Sequence, residues 1–236
     1  MGAGLAVGSF PRTSQTTADK LGLVGNRVID LLTGVLMVVA VFLLARSGSQ
    51  VRSAWASYRS DQAAVDAARR NWDSIAMASS ALTSGAGPVI VEVSDYQCTY
   101  CRSAASIVDS AGKRGVRVVY LNYPLSNKSA SLGSATAALC ADEAGKFREM
   151  HRQLMTSDRW QRDSNWVREA RLAGVSDISV FADCLQAGRV RSRLVRQRAL
   201  ADSLRVTGTP TFVSRTGIHR GVPTVEQLLD LAGTKN

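Results

Sequence analysis

The stretch "PVIVEVSDYQCTYCRS" (88–103) constrains the fold of this chain more than any other. A short, β-rich apolar run ends in two cysteines with two residues between them. Downstream, Ala104, Ile107, Val108 and Ala111 mark one helical face, with Gly112 or Gly115 as its stop. A second β-rich run, "VRVVYLNYPL" (116–125), comes next. The order strand, Cys-x-x-Cys, helix, strand predicts a βαβ unit with parallel strands and a right-handed crossover.

From Ser126 to Leu204 the pattern is helical. "SATAALCADEAGKFREMHRQLM" (134–155) reads as an amphipathic helix with a break at Gly145, and "SNWVREARLAG" (164–174) as a helix capped by Ser164 and stopped by Gly174. "GTPTFVSRTGIHRG" (208–221) reads as a hairpin turning at Thr216-Gly217. A closing helix has Thr224 and Gln227 as a capping box and Gly233 as its end.

The cysteine pair admits three chemistries: metal clamp, structural disulfide or reactive dithiol. A zinc site needs four ligands. Cys140 and Cys184 stand alone, and His151 and His219 are far apart, so no metal is expected. The pair lies where a strand gives way to a helix. There the unpaired N–H groups and positive partial charge of a helix start favour a thiolate on Cys98. Cys101, one turn on, can close back on Cys98, and Arg102 adds a cation nearby. Glu92 lies inside the strand. It reads either as an edge residue reaching water or as a buried acid beneath the dithiol that moves protons during exchange.

The N-terminal region sets the compartment. Leu31 to Ala45 carries no charge, and with Val28 and Ile29 it is long enough for a bilayer. A cleaved signal peptide would have a shorter core nearer the start, and a buried core helix would show a polar face. An uncleaved signal-anchor fits best. Arg12, Lys20 and Arg27 precede the span, and Arg46, Arg52 and Arg59 follow it, so the basic residues do not orient it. Residues 47–80 lack Pro, and Val51, Tyr58, Val65 and Trp72 recur every seventh residue, with Trp55 and Ile75 beside that stripe. A helical stalk is expected there, leaning on its own domain or making a weak coiled-coil contact. "TSGAGP" (83–88) breaks it.

The expected organisation is an N-terminal cytoplasmic tail (1–27), a transmembrane anchor (28–46), a stalk (47–80) and one domain (81–236). The net charge of +10 is spread along the 236 residues without interleaved aromatics, so no nucleic-acid partner is expected. "RVRSRLVRQR" (189–198), the densest basic stretch, reads as a solvated helix face, with a face toward anionic lipid beside the anchor as the alternative.

"VEVSDYQCTYC", "YLNYPL", "AALCADEAGKF" and "VTGTPTFV" together resemble the DsbA-like branch of the thioredoxin fold, over about residues 70–236. The resemblance implies an α/β thioredoxin-like fold with an inserted all-helical subdomain at about 126–204, preceded by a transmembrane helix and helical stalk. It implies a protein thiol:disulfide oxidoreductase without a cofactor. Cys98 would attack, Cys101 would resolve, Glu92 would be the buried acid, and Pro210 would be the cis-proline beside the site. Thr209, Thr99 and Tyr100 would contact substrate, and Cys140 and Cys184 would form a structural disulfide. The implied partners are exported polypeptides with thiols and a membrane quinone-linked oxidase, DsbB-like or vitamin-K-epoxide-reductase-like.

Such chemistry requires the domain on the periplasmic side of the inner membrane. Thr99-Tyr100 departs from the Pro-His found between the cysteines of the strongest oxidants in this branch. The direction of electron flow therefore stays open. A reductase or isomerase kept reduced by a membrane donor, and a non-catalytic binding module, are the alternatives.

Overall fold

A computed structural model of the chain describes residues 15–83, 85–125 and 130–234, with side chains in the first helix from Leu31 onward. The chain divides into two compact units, Met1–Ser57 and Tyr58–Asn236. One helix, α1 (Gln15–Ala78), belongs to both. Of the expected tail, residues 1–14 lie outside the described residues, and the rest opens this helix. Anchor and stalk are therefore continuous, because no Pro or paired Gly interrupts the segment. From Leu31 the helix is long and apolar enough to cross a membrane, with a mean hydropathy of 2.1 in its most apolar window. Leu36, Phe42 and Leu44 stand exposed along it.

The second unit begins at Tyr58, upstream of residue 81, where the domain is expected to start. Ala64, Val65, Ala68, Trp72 and Ile75 are buried, and Ala67, Ala68, Trp72 and Ile75 pack with Val91, Val93, Val119 and Leu121 of the sheet. A large apolar side chain buried this way contributes about 1.5–3 kcal/mol, enough to recruit about the last four turns of the helix into the core.

The remaining elements build a mixed five-stranded sheet with helices on it. The strands are β1 (Ser80–Ala81), β2 (Val89–Ser94), β3 (Arg117–Asn122), β4 (Thr211–Val213) and β5 (Ile218–Arg220), in the order β1-β3-β2-β4-β5. β2 pairs parallel with β3, with α2 (Thr99–Lys113) as the crossover. It pairs antiparallel with β4, which forms a hairpin with β5 closed by the Ser214 N–H on the Gly217 carbonyl, 2.9 Å. β1, only two residues long, escaped the sequence reading and pairs antiparallel with β3. α2 ends at Arg114, and Gly115 takes the left-handed conformation (φ 94°) that lets the chain turn back into β3.

The insertion runs through α3 (Ser131–Glu143), α4 (Phe147–Thr156), α5 (Arg159–Asp163), α6 (Trp166–Leu172), α7 (Ile178–Gln186) and α8 (Gly188–Ser203). The break between α3 and α4 falls at Gly145, φ 69°. Ser164 does not cap α6. It ends α5 in a left-handed conformation, and the side chain of Asn165 accepts from the Arg168 N–H instead. α9 (Val225–Ala232) closes the chain with the Thr224–Gln227 capping box and Gly233. Side chains alternate along the strands, so one sheet face packs on α1 and the C-terminal end of α8 and the other on α2 and the insertion. Glu92 shares the second face with Ile90, the face that carries both cysteines.

Candidate active site

β2 is the central strand, and its C-terminal end delivers the chain to the start of α2. Cys98 is the N-cap of that helix, in an extended conformation (φ −78°, ψ 118°), and its carbonyl accepts the Arg102 N–H at 3.1 Å. Its sulfur therefore lies where the N–H groups of the first turn are unpaired. Cys98 is 8% exposed and Cys101, one turn on, is 0% exposed. Both are free thiols. Of the two, only Cys98 keeps any exposure to solvent.

The surroundings split the two thiols. The Cys98 pKa is lowered to about 5, first by the hydrogen bond from the Cys101 thiol. Burial opposes the shift, and Thr209 and the N–H groups of Cys101 and Tyr100 assist it. Cys101 moves the other way, because burial and the Cys98 sulfur both hold its proton on. One thiolate is thus ready at neutral pH, with a protonated partner beside it.

The Thr209–Pro210 bond is cis, and β4, which starts at the next residue, runs antiparallel to β2. This pairing carries Thr209 to Cys98, whose thiol donates to the Thr209 carbonyl at 3.3 Å across 111 residues of sequence. That carbonyl is engaged only while Cys98 carries its proton. Thr99 and Tyr100 occupy the first turn of α2, with Tyr100 exposed.

Glu92 is 1% exposed, so it is no edge residue reaching water. Burial raises its pKa to about 8; the Ser94 hydroxyl lowers it in part, and the charges of Asp109 and Cys98 add to the rise. Its neighbours on that face are aromatic. Tyr120 pairs with it across β3, Tyr96 stacks on Tyr120 at 5.3 Å, and the His151 ring meets Tyr120 edge-on at 4.9 Å. His151 Nδ1 lies 3.4 Å from the Tyr96 hydroxyl, and burial lowers the imidazole to about 3, so it is neutral. His151 thus joins the aromatic cluster on the Glu92 face of the sheet, although its distance in sequence hid this.

Arg102 does not reach the thiols. Its guanidinium donates to the carbonyls of Leu154 (2.6 Å) and Ser157 (3.4 Å) and pairs with Asp158 (2.6 Å), tying α2 to the corner between α4 and α5. Cys140 on α3 and Cys184 on α7 are bonded to each other, with Cα atoms 5.8 Å apart. Sequence reasoning also passed over Asp95 and Gln97, which hold the turn before Cys98. Asp95 carries a signal, since an Asp two residues before a backbone N–H favours a side-chain-closed turn. Among the described residues, no three His, Cys, Asp or Glu side chains converge to hold a metal ion.

Comparison with known proteins agrees with this geometry. A family model described as Thioredoxin matches residues 83–231. A solved thioredoxin-like oxidoreductase from Silicibacter pomeroyi DSS-3 is 30% identical, with a TM-score of 0.60, covering 66% of this chain and 91% of that one. The thiol-disulfide exchange protein alpha-DsbA2 from Wolbachia pipientis shares the fold at 18% identity, with a TM-score of 0.64, covering 75% of this chain and 97% of that one. A curated relative, the Na(+)/H(+) antiporter NhaA 3 of Salinispora tropica, is 31% identical over 59% of this chain, and the match spans only 22% of that protein's length. With a family match that spans most of its length and a fold to go with it, the chain belongs to the thioredoxin family.

Proposed function

We propose that the Cys98–Cys101 pair introduces disulfides into exported polypeptides. The observation that carries this reading is the stabilised thiolate of Cys98. A low thiol pKa stabilises the reduced enzyme, so its disulfide is readily given away. A client thiolate attacks Cys98 Sγ, the Cys98–Cys101 bond breaks, and Cys101 takes up a proton. A second client thiolate then attacks the client sulfur of the mixed disulfide and expels Cys98 as a thiolate. The client loses two electrons and the dithiol gains them. Glu92 exchanges protons with Cys101, its pKa near 8 letting it hold or release one close to neutral pH. Thr209 and Pro210 line the approach to Cys98, and Thr99 and Tyr100 offer contact surface beside it.

The apolar part of α1 anchors the domain on the periplasmic side of the inner membrane, where a quinone-linked membrane oxidase withdraws the two electrons. A matching segment within an antiporter supports placing such a domain at a membrane.

The test is the reduction potential of the Cys98/Cys101 pair, together with capture of mixed disulfides by Cys101→Ala. An oxidising potential and trapped exported proteins are expected. A strongly reducing potential, with the pair mostly reduced in cells, would turn the reading to a reductase. The absence of His between the cysteines is what favours that second reading.

A further inference from the structure

Three residues before Cys98, Asp95 is 2% exposed and holds three separate pieces of chain. Its Oδ1 accepts the N–H of Gln97 at 2.9 Å. Its Oδ2 accepts the N–H of Leu125 at 2.9 Å and the hydroxyl of Ser131 at 2.7 Å. Its main-chain carbonyl accepts the Cys98 N–H at 3.0 Å. Gln97 adds to this, its Oε1 accepting the Ala130 N–H at 2.8 Å. Leu125 lies on the chain leaving β3, and Ala130 and Ser131 open α3. One carboxylate thus fastens the turn bearing Cys98 to both ends of the connection between sheet and insertion. A buried carboxylate is costly unless its oxygens are well supplied with donors, and these bonds supply them.

We infer that Asp95 is a positioning residue for the dithiol: its carboxylate holds the Cys98 turn against the start of the insertion, keeping the N–H groups of Tyr100 and Cys101 aimed at Cys98 Sγ. This rests on Cys98 being the attacking thiol and on nothing about the direction of electron flow. The Cys98 turn has no covalent tie to the insertion near it, since Cys140–Cys184 joins α3 to α7. The aim of those N–H groups therefore depends on hydrogen bonds.

The sign of the effect separates positioning from charge. Removing a negative charge near a thiol favours its thiolate and lowers its pKa. Loosening the turn withdraws N–H donors from the thiolate and raises it. The rate of Cys98 alkylation against pH, with thermal unfolding measured in parallel, reads this in the full chain. In Asp95→Asn the Cys98 pKa is expected to rise by about one unit, a loss of alkylation rate that approaches tenfold below about pH 5 and shrinks toward neutral pH. Ser131→Ala keeps the charge and removes one donor, and a smaller rise is expected there. Ser131→Ala is decisive if Asp95→Asn fails to fold. A Cys98 pKa that stays put or falls in Ser131→Ala overturns the inference, even if the melting temperature drops. The reduction potential of the unaltered protein tests the oxidase reading separately, so either can fail alone.

Discussion

The four cysteines of this chain stand in two environments of one domain. Cys98 and Cys101 lie at the mouth of a helix on the central strand, Cys98 slightly exposed, Cys101 fully buried, and with a buried acid on the same sheet face. Cys140 and Cys184 join the last turn of α3 to the last turn of α7, both 2% exposed and 44 residues apart. The first pair is close in sequence and asymmetric in environment, so it can open and close. The second is distant in sequence and evenly buried, so it staples the insertion. Reactivity follows from what surrounds each sulfur, since the residue type is the same.

Exchange of the two roles would break this contrast. Cys98→Ser is expected to abolish disulfide exchange with a model dithiol peptide while leaving the unfolding transition in place. The double change Cys140→Ala, Cys184→Ala is expected to do the reverse. It should keep exchange and cost about 4 kcal/mol in denaturant unfolding, from the loop-closure entropy of a loop this long.

The buried acid gives the next largest effect. The folded pKa of Glu92 is raised above its ordinary value, so its contribution to stability is full below about pH 4.5 and is lost as pH rises toward 8. Glu92→Gln should flatten this loss, by up to a few kcal/mol near pH 8, when unfolding is followed against pH. The same substitution should slow resolution of mixed disulfides near neutral pH.

Smaller shifts sharpen the comparison. Thr99 is the first residue of α2, a position that accepts proline, and a His at position 100 would add a cation near the thiolate. Thr99→Pro with Tyr100→His should lower the Cys98 pKa further and make the potential more oxidising by about 30 mV, measured against glutathione. Arg102→Ala should cost about 1–3 kcal/mol through lost bonds to the α4–α5 corner, with little change in potential.

The strand, the Cys-x-x-Cys, the crossover helix and the hairpin were legible in the sequence because local periodicity and turn residues specify them. The start of the domain was not. Ala64, Ala68 and Trp72 share the helical period of the stalk before them, and only the sheet beneath them shows which turns are buried. β1 is too short to leave a pattern. The role of Asp95 depends on donors 30 and 36 residues away, and the direction of Arg102 on carbonyls more than 50 residues away. Such contacts leave no mark in a local reading. Thr224 and Gln227 could be read outright because the capping box lies within four residues.

The bond from Cys98 to the Thr209 carbonyl also has a meaning in time. A ribosome makes the dithiol more than a hundred residues before it makes β4. Until β4 docks on β2, the sulfur has no carbonyl opposite it and the central strand has an open edge. A nascent chain therefore carries its reactive pair before the wall that faces it, and the site matures only when nearly all of the domain has been made.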